Sequence, residues 1–117
     1  MAEKNRNIIK PLVMKFGGTS VGSAEAILQT ANIIINQYAQ HTQLVVVASA
    51  MSGVTNLLLS SAQAAAAGNW KVYTRDISEI ENRHLETIAA LPLPDDKRQP
   101  LTAEIDAFIK QIGRAHV

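Results

Sequence analysis

The sequence predicts an α/β fold with a mainly parallel sheet, and three features of its first half support this prediction. A short apolar run, residues 11–16, ends at a glycine pair, as a buried strand does when it enters a turn. Apolar residues then recur with helical spacing from Ala24 to Tyr38. A second apolar run follows at residues 44–49. This order predicts a βαβ unit, whose crossover is right-handed by default.

The second predicted strand is expected to be covered on both faces. Residues 44–49 read LVVVAS, a β-branched run without polar alternation, which is typical of a strand inside a parallel sheet. Two strands are too few to close a sheet, so we expect both sheet edges to lie open.

The helices are predicted from apolar stripes and from the residues that end them. An alanine-rich second helix should end at Gly68 and Asn69. A third stripe occupies residues 73–91, and a fourth occupies residues 101–112. Between them, residues 92–100 begin and end with proline and are predicted to form a loop. The stripe of the first helix consists of Ala24, Ile27, Leu28, Ala31, Ile34, Ile35 and Tyr38.

Length, charge and composition limit the class of protein. The 117 residues suffice for at most one domain, and 47% of them are hydrophobic, so a buried core is possible. The formal net charge of +1 gives no reason to expect nucleic acid or a membrane as a partner. The sequence has no cysteine, no secretory signal at its N-terminus and no run of about 20 apolar residues. We therefore expect a cytoplasmic protein.

The last six residues of the chain resemble a translated adaptor sequence rather than natural protein. Residues 112–117 read IGRAHV, which is one translated frame of a widely used sequencing adaptor. We expect residues 113–117 to be a non-native tail and residues 1–112 to be the natural part of an incomplete domain. The alternative is an ordinary polar C-terminal tail.

The first loop after a predicted strand is suited to phosphate. Lys15 ends the strand, and Gly17, Gly18, Thr19 and Ser20 follow it. Glycines before a helix leave backbone N–H groups accessible to an anion, and a lysine and hydroxyl groups add charge and donors. The alternative is a tight turn in which Ser20 or the nearby Ser23 only caps the next helix. The pattern is neither a P-loop nor a dinucleotide-binding fingerprint.

A second loop, residues 49–56, follows the second strand. Because the carboxyl ends of adjacent parallel strands share one sheet edge, both loops are expected to face one ligand. The alternative is again structural, with Ser52 or Thr55 acting as a helix cap.

His84 lies on the apolar stripe of the third predicted helix. Neither a histidine at helical spacing nor a cysteine accompanies it. We therefore expect a half-buried, hydrogen-bonded histidine and no metal site.

Two motifs resemble the N-terminal part of the aspartate kinases, which belong to the amino acid kinase family. They read VMKFGGTSVGS at residues 13–23 and VVVASAMSGVTNLL at residues 45–58. The resemblance is firm over residues 13–58 and compatible, though less specific, as far as Leu91. The resemblance implies that the chain forms the N-terminal part of a three-layer αβα domain of the carbamate kinase type.

The resemblance also implies an activity. Aspartate kinases transfer the γ-phosphoryl group of ATP, with Mg²⁺, to the side-chain carboxylate of L-aspartate, and the product leads to lysine, threonine and methionine. Lys15 would stabilise the transferring phosphoryl group as the catalytic residue. The full-length parent would be a homo-oligomer. By motif match, Gly17, Gly18, Thr19 and Ser20 would bind ATP phosphates, and Ser49, Gly53 and Thr55 would bind aspartate.

Several family motifs do not occur in the sequence. These are a later Gly-Glu motif for the substrate amine, a glycine loop with Arg and Asp, and a nucleotide segment with Asp-Pro-Arg. We therefore expect the 117-residue chain to be inactive alone. Two alternatives remain open: another amino acid kinase acting on glutamate, acetylglutamate or a nucleoside monophosphate, and a non-catalytic α/β binding module.

Overall fold

The computed structural model describes residues 11–41 and 43–114. Two strands and four helices follow in this order: β1 (Leu12–Phe16), α1 (Ala24–Tyr38), β2 (Leu44–Ala48), α2 (Val54–Ala66), α3 (Trp70–Ala90) and α4 (Asp95–Arg114). The chain divides into two compact units, Met1–Ser52 and Gly53–Val117. The predicted α/β class is confirmed.

The first unit is the predicted βαβ unit. β1 and β2 pair in parallel, with Leu12 opposite Leu44 and Phe16 opposite Ala48, and α1 packs against β2. α1 begins where its sequence predicts, because the Ser23 side chain accepts a hydrogen bond of 3.1 Å from the backbone N–H of Ala26. Of the two serines considered as caps, Ser23 is therefore the N-cap.

The exposure of β2 corrects one prediction. Val45, Val46 and Val47 are 51%, 40% and 47% exposed, so the prediction that this strand is covered on both faces is wrong for the described residues. The reason is that a two-stranded sheet must have other elements on both faces before it can bury an unbroken apolar run. The prediction of open edges is confirmed, since the described sheet consists of β1 and β2.

The second unit is helical, with α2 packed on α3 and α3 packed on α4. Its buried apolar side chains are Val54, Ala64, Ile80, Ile88 and Ile109. α2 ends as predicted, because Gly68 adopts φ +72 and the N–H of Asn69 donates to the carbonyl of Ala64 at 2.8 Å.

The predicted loop at residues 92–100 is wrong from Asp95 onward, where α4 begins. The N–H groups of Lys97 and Arg98 both donate to the carbonyl of Pro94 at 2.9 Å, which starts the helix. Acidic residues in the first turn favour this start because they interact with the positive end of the helix dipole. Pro100 lies inside the helix, where it has no backbone N–H to donate. Pro100, predicted as the end of the loop, is instead a residue of α4.

A buried carboxylate joins α2 to α3. Asp76 on α3 is 2% exposed, and the hydroxyl of Ser60 on α2 donates to its Oδ2 at 2.5 Å. The guanidinium of Arg75 lies 3.3 Å from the other carboxylate oxygen. The sequence analysis did not identify this pair.

The C-terminal boundary stays a prediction. The expected non-native tail begins inside α4, which ends at Arg114, and residues 115–117 lie outside the described residues. Within residues 11–41 and 43–114, no helix combines the length and apolar character that crossing a bilayer requires.

Candidate active site

The two loops predicted to carry the site begin side by side. Phe16 and Ala48, the last residues of β1 and β2, are paired in register. The backbone N–H of Ser49 donates to the carbonyl of Phe16 at 3.1 Å, which extends the strand pairing by one residue. The first loop (residues 17–23) and the part of the second loop that belongs to the first unit (residues 49–52) therefore leave the same edge of the sheet.

A backbone hydrogen bond connects the first loop to the second. The N–H of Ser52 donates to the carbonyl of Gly18 at 3.1 Å. A Cβ added at Gly18 would lie 3.1 Å from the carbonyl oxygen of Ala50 and 3.3 Å from the nitrogen of Ser52. Gly18 thus allows close packing of the two loops, in addition to its predicted contact with phosphate.

The first loop is built from turns and is open at Gly17. The N–H of Ser20 donates to the carbonyl of Gly17 at 3.1 Å, and the N–H of Gly22 donates to the carbonyl of Thr19 at 3.4 Å. A Cβ added at Gly17 would have no atom within 4 Å. Gly17 therefore offers its backbone to a ligand from open space, as phosphate binding requires.

Lys15 and Ser49 lie where the two strands meet the loops: Lys15 is the last residue but one of β1, and Ser49 directly follows β2. Lys15 is exposed on β1, and among the described residues its ammonium group forms no ion pair. Ser49 is exposed, and its hydroxyl contacts the carbonyl of Ala50 at 3.3 Å. The first unit thus brings together the predicted residues Lys15, Gly17, Gly18, Thr19, Ser20 and Ser49.

The other two predicted residues belong to the second unit. Gly53 is the N-cap of α2 with φ +83, and a Cβ added there would lie 2.6 Å from Nη1 of Arg83. Glycine is required at this position because L-residues with side chains rarely adopt such a φ. Thr55 is an exposed residue of the first turn of α2, so the alternative that Thr55 is the N-cap is wrong.

Gly22 is a residue that the sequence analysis missed. A Cβ at Gly22 would lie 2.9 Å from the carbonyl oxygen of Gly18 and 3.2 Å from Cβ of Ser52. Its φ is not positive, so the requirement for glycine is one of space. Its place in the motif at residues 13–23 was the available signal. One of the two contacts that explain it joins two loops about thirty residues apart in sequence.

The sequence matches a known protein family. Residues 10–114 match the Amino acid kinase family, which is most of the chain. The chain belongs to the amino acid kinase family. A protein named aspartate kinase from Pseudomonas fluorescens (strain SBW25) is 42% identical over 88 residues, 74% of this chain and 21% of that protein.

Two further relatives of this amino acid kinase chain carry similar names. Aspartokinase 2 of Bacillus subtilis (strain 168) is 51% identical over 53 residues, 45% of this chain and 13% of that protein. Aspartokinase 3, chloroplastic, of Arabidopsis thaliana is 42% identical over 77 residues, 64% of this chain and 13% of that protein. The chain thus spans about a fifth or less of the length of these relatives, and the resemblance to aspartate kinases is confirmed.

His84 has the environment that the sequence predicted. It is half-buried, and its Nδ1 lies 2.7 Å from the carbonyl oxygen of Ile80, one helical turn earlier. In the part of this amino acid kinase chain that the structure describes, no three His, Cys, Asp or Glu side chains are grouped as metal ligands.

We predict that Gly22→Ala will disturb both loops of this amino acid kinase. The added Cβ meets a backbone oxygen, which cannot rotate away as a side chain can, so the first loop must shift. We expect a loss of about 1–3 kcal/mol in stability and, in the full-length enzyme, a fall of about a hundredfold in kcat/KM. Thermal unfolding and steady-state kinetics measure the two effects.

Gly17→Ala is the matched control, because its Cβ enters open space. It should change stability by about 0.5 kcal/mol or less. Its effect on activity tests the predicted contact of the Gly17 backbone with phosphate. Equal stability of the two variants would contradict the packing role of Gly22.

Proposed function

We propose that the full-length protein containing this chain is an aspartate kinase. It transfers the γ-phosphoryl group of ATP, bound with Mg²⁺, to the side-chain carboxylate of L-aspartate and forms 4-phospho-L-aspartate. The observation that carries the proposal is the junction of the KFGGTSV loop with the second loop, through the hydrogen bond of 3.1 Å between Ser52 and Gly18. The loop that we propose to bind phosphate thereby lies beside a loop that resembles the aspartate-binding segment of the family.

The proposed reaction needs positioning and charge stabilisation rather than a protein base. A carboxylate oxygen of aspartate attacks the γ-phosphorus, the bond from that phosphorus to the bridging oxygen breaks, and ADP leaves with the bond's electrons. Lys15 stabilises the negative charge on the transferring group as its catalytic cation. Mg²⁺ would arrive with the nucleotide and neutralise phosphate charge.

The remaining residues of the proposed site divide between the two substrates. The backbone of Gly17 and Gly18 and the hydroxyls of Thr19 and Ser20 bind phosphate oxygens of ATP. Ser49, Gly53 and Thr55 bind aspartate, with Gly53 contributing through its backbone. The same resemblance supports a homo-oligomer in the cytoplasm and gives no reason to expect nucleic acid or membrane as a partner.

The experiment that tests this function is a competition assay on the full-length gene product, whose sequence is first read across the codon for Ile112. The enzyme is given ATP, Mg²⁺ and equal concentrations of aspartate, glutamate and acetylglutamate, and the acyl phosphates are trapped with hydroxylamine. We expect the hydroxamate of aspartate to dominate. A different hydroxamate would assign another reaction within the family, and absence of both turnover and nucleotide binding would favour a non-catalytic module.

We predict that the 117-residue chain alone will not turn over ATP and aspartate. It spans 21% or less of the aspartate kinases compared above, so most of the protein that completes a nucleotide site lies outside it. An ADP-release assay on the purified chain, beside the full-length protein at equal molar concentration, measures this. Aspartate-dependent ADP release by the chain itself would overturn the prediction.

A further inference from the structure

Thr30 of α1 makes an unusual contact with the first loop. Its side chain is 8% exposed, and its hydroxyl Oγ1 donates to the backbone carbonyl of Ser20 at 2.7 Å. The two residues are ten positions apart, so the bond joins the body of the helix to the loop that precedes it.

Thr30 lies on the buried face of α1. Ile27, three residues earlier, and Ile34, four residues later, lie on the same side of the helix and are half-buried. Burying a hydroxyl there is unfavourable unless it is hydrogen-bonded. A threonine inside a helix commonly bonds the carbonyl four residues earlier, within the same helix. Thr30 instead bonds the loop, so its hydroxyl acts outside α1.

The bond fixes the orientation of one peptide group in the loop. Because a trans peptide holds its C=O and N–H groups in opposite directions, drawing the Ser20 carbonyl toward α1 turns the N–H of Val21 away from α1. The bond from Thr30 thus bears on the direction of one backbone donor of the first loop, the N–H of Val21.

The backbone bonds that hold the same loop include those from Ser20 to Gly17 and from Ser52 to Gly18, both 3.1 Å long. The bond from Ser20 to Gly17 lies within the first loop, the bond from Ser52 joins this loop to the second loop, and the bond from Thr30 joins it to α1. Of these three bonds, the one made by Thr30 comes from a side chain, so a substitution can remove it without altering the backbone.

We propose that Thr30 is a positioning residue for the phosphate-binding loop. This inference rests on the proposed function, and Thr30 acts through the Ser20 peptide rather than by touching substrate. Loss of its hydroxyl leaves the loop free to reorient, which impairs use of ATP. Binding of aspartate, assigned to Ser49, Gly53 and Thr55, is unaffected.

Two matched pairs of side chains test the proposal in the full-length enzyme. Thr30→Val keeps the shape and removes the hydroxyl, whereas Thr30→Ser keeps the hydroxyl. Thr30→Ala differs from Thr30→Ser by the hydroxyl alone, so this second pair serves if Thr30→Val does not fold. We expect Thr30→Val and Thr30→Ala to lower kcat/KM for ATP about tenfold, equivalent to about 1.4 kcal/mol. Thr30→Ser should stay within about threefold of wild type, and KM for aspartate should be unchanged in all three.

A purely structural role predicts a different result. It would lower the thermal midpoint of the variants lacking a hydroxyl while leaving the kinetics of the folded enzyme unchanged. That result, or equal loss of ATP use by Thr30→Ser and Thr30→Ala, would overturn the proposal.

Amide hydrogen exchange separates failure of this inference from failure of the proposed function. In Thr30→Val, residues 17–22 should exchange faster while the amides of α1 keep their protection. If wild type phosphorylates another acid, the proposed function fails, but faster exchange in this loop still supports the positioning role. Unchanged exchange in an active aspartate kinase would overturn the inference alone.

Discussion

Lys15→Ala is expected to reduce phosphoryl transfer by the full-length enzyme about a thousandfold or more, while its fold and its affinity for aspartate stay nearly unchanged. Negative charge moves onto the oxygens around the transferring phosphorus, and a preorganised cation lowers the energy of that state more than it stabilises the ground state. Lys15 is exposed at the end of β1, so its truncation opens no cavity in the core. The measurement is kcat and KM for both substrates.

Two variants make the result specific to the charge at this position. Lys15→Arg keeps the positive charge but replaces a compact ammonium with a planar guanidinium, so it should restore part of the activity at most. Lys71→Ala removes an exposed lysine of α3 and should leave kinetics unchanged. If Lys15→Ala weakens aspartate binding as much as it lowers kcat, Lys15 contributes to ground-state binding and the transition-state role is wrong.

The elements that local pattern determines could be predicted from the sequence. The stripe from Ala24 to Tyr38 predicts α1 because the spacing of apolar residues is the helical repeat itself. Gly68 ends α2 because the required φ of +72 is a local property of glycine. The start of α4 was missed because Pro100 is compatible with two structures, and the bonds of Lys97 and Arg98 to Pro94 decide between them.

The candidate site could be predicted in part for the same reason. Lys15, Gly17, Gly18 and Ser49 follow from parallel strands whose ends must share an edge. Gly22 and Thr30 could not be found in this way, since each is explained by contacts outside its own repeat pattern. Gly22 lies against Gly18 of its own loop and Ser52 of the second loop, and Thr30 bonds Ser20. Periodicity carries no information about such contacts.

The second large effect is expected at the buried pair between α2 and α3. Asp76→Ala should lower the free energy of unfolding of the chain by about 1–3 kcal/mol, the usual loss when a hydrogen-bonding group loses its partner away from water. It leaves the Ser60 hydroxyl without the acceptor that now lies 2.5 Å away and opens a small cavity beside it. Arg75 is 69% exposed, so Arg75→Ala should cost no more than about 1 kcal/mol. Urea unfolding of the 117-residue chain, followed by circular dichroism, measures the stability of wild type, Asp76→Ala and Arg75→Ala.

A double-mutant cycle decides whether the bond itself or the volume of the carboxylate is responsible. Ser60→Ala removes the donor and should cost about 1–3 kcal/mol, since the buried carboxylate then loses one partner. If the hydrogen bond is the cause, adding Ser60→Ala to Asp76→Ala costs much less than it does in wild type, with a coupling of about 0.5–3 kcal/mol. If the two losses simply add, the effect of Asp76→Ala comes from the cavity. In that case Asp76→Asn, which keeps the volume and a carbonyl acceptor, should be as stable as wild type. If the charge of the carboxylate strengthens the bond to Ser60, Asp76→Asn should be less stable than wild type.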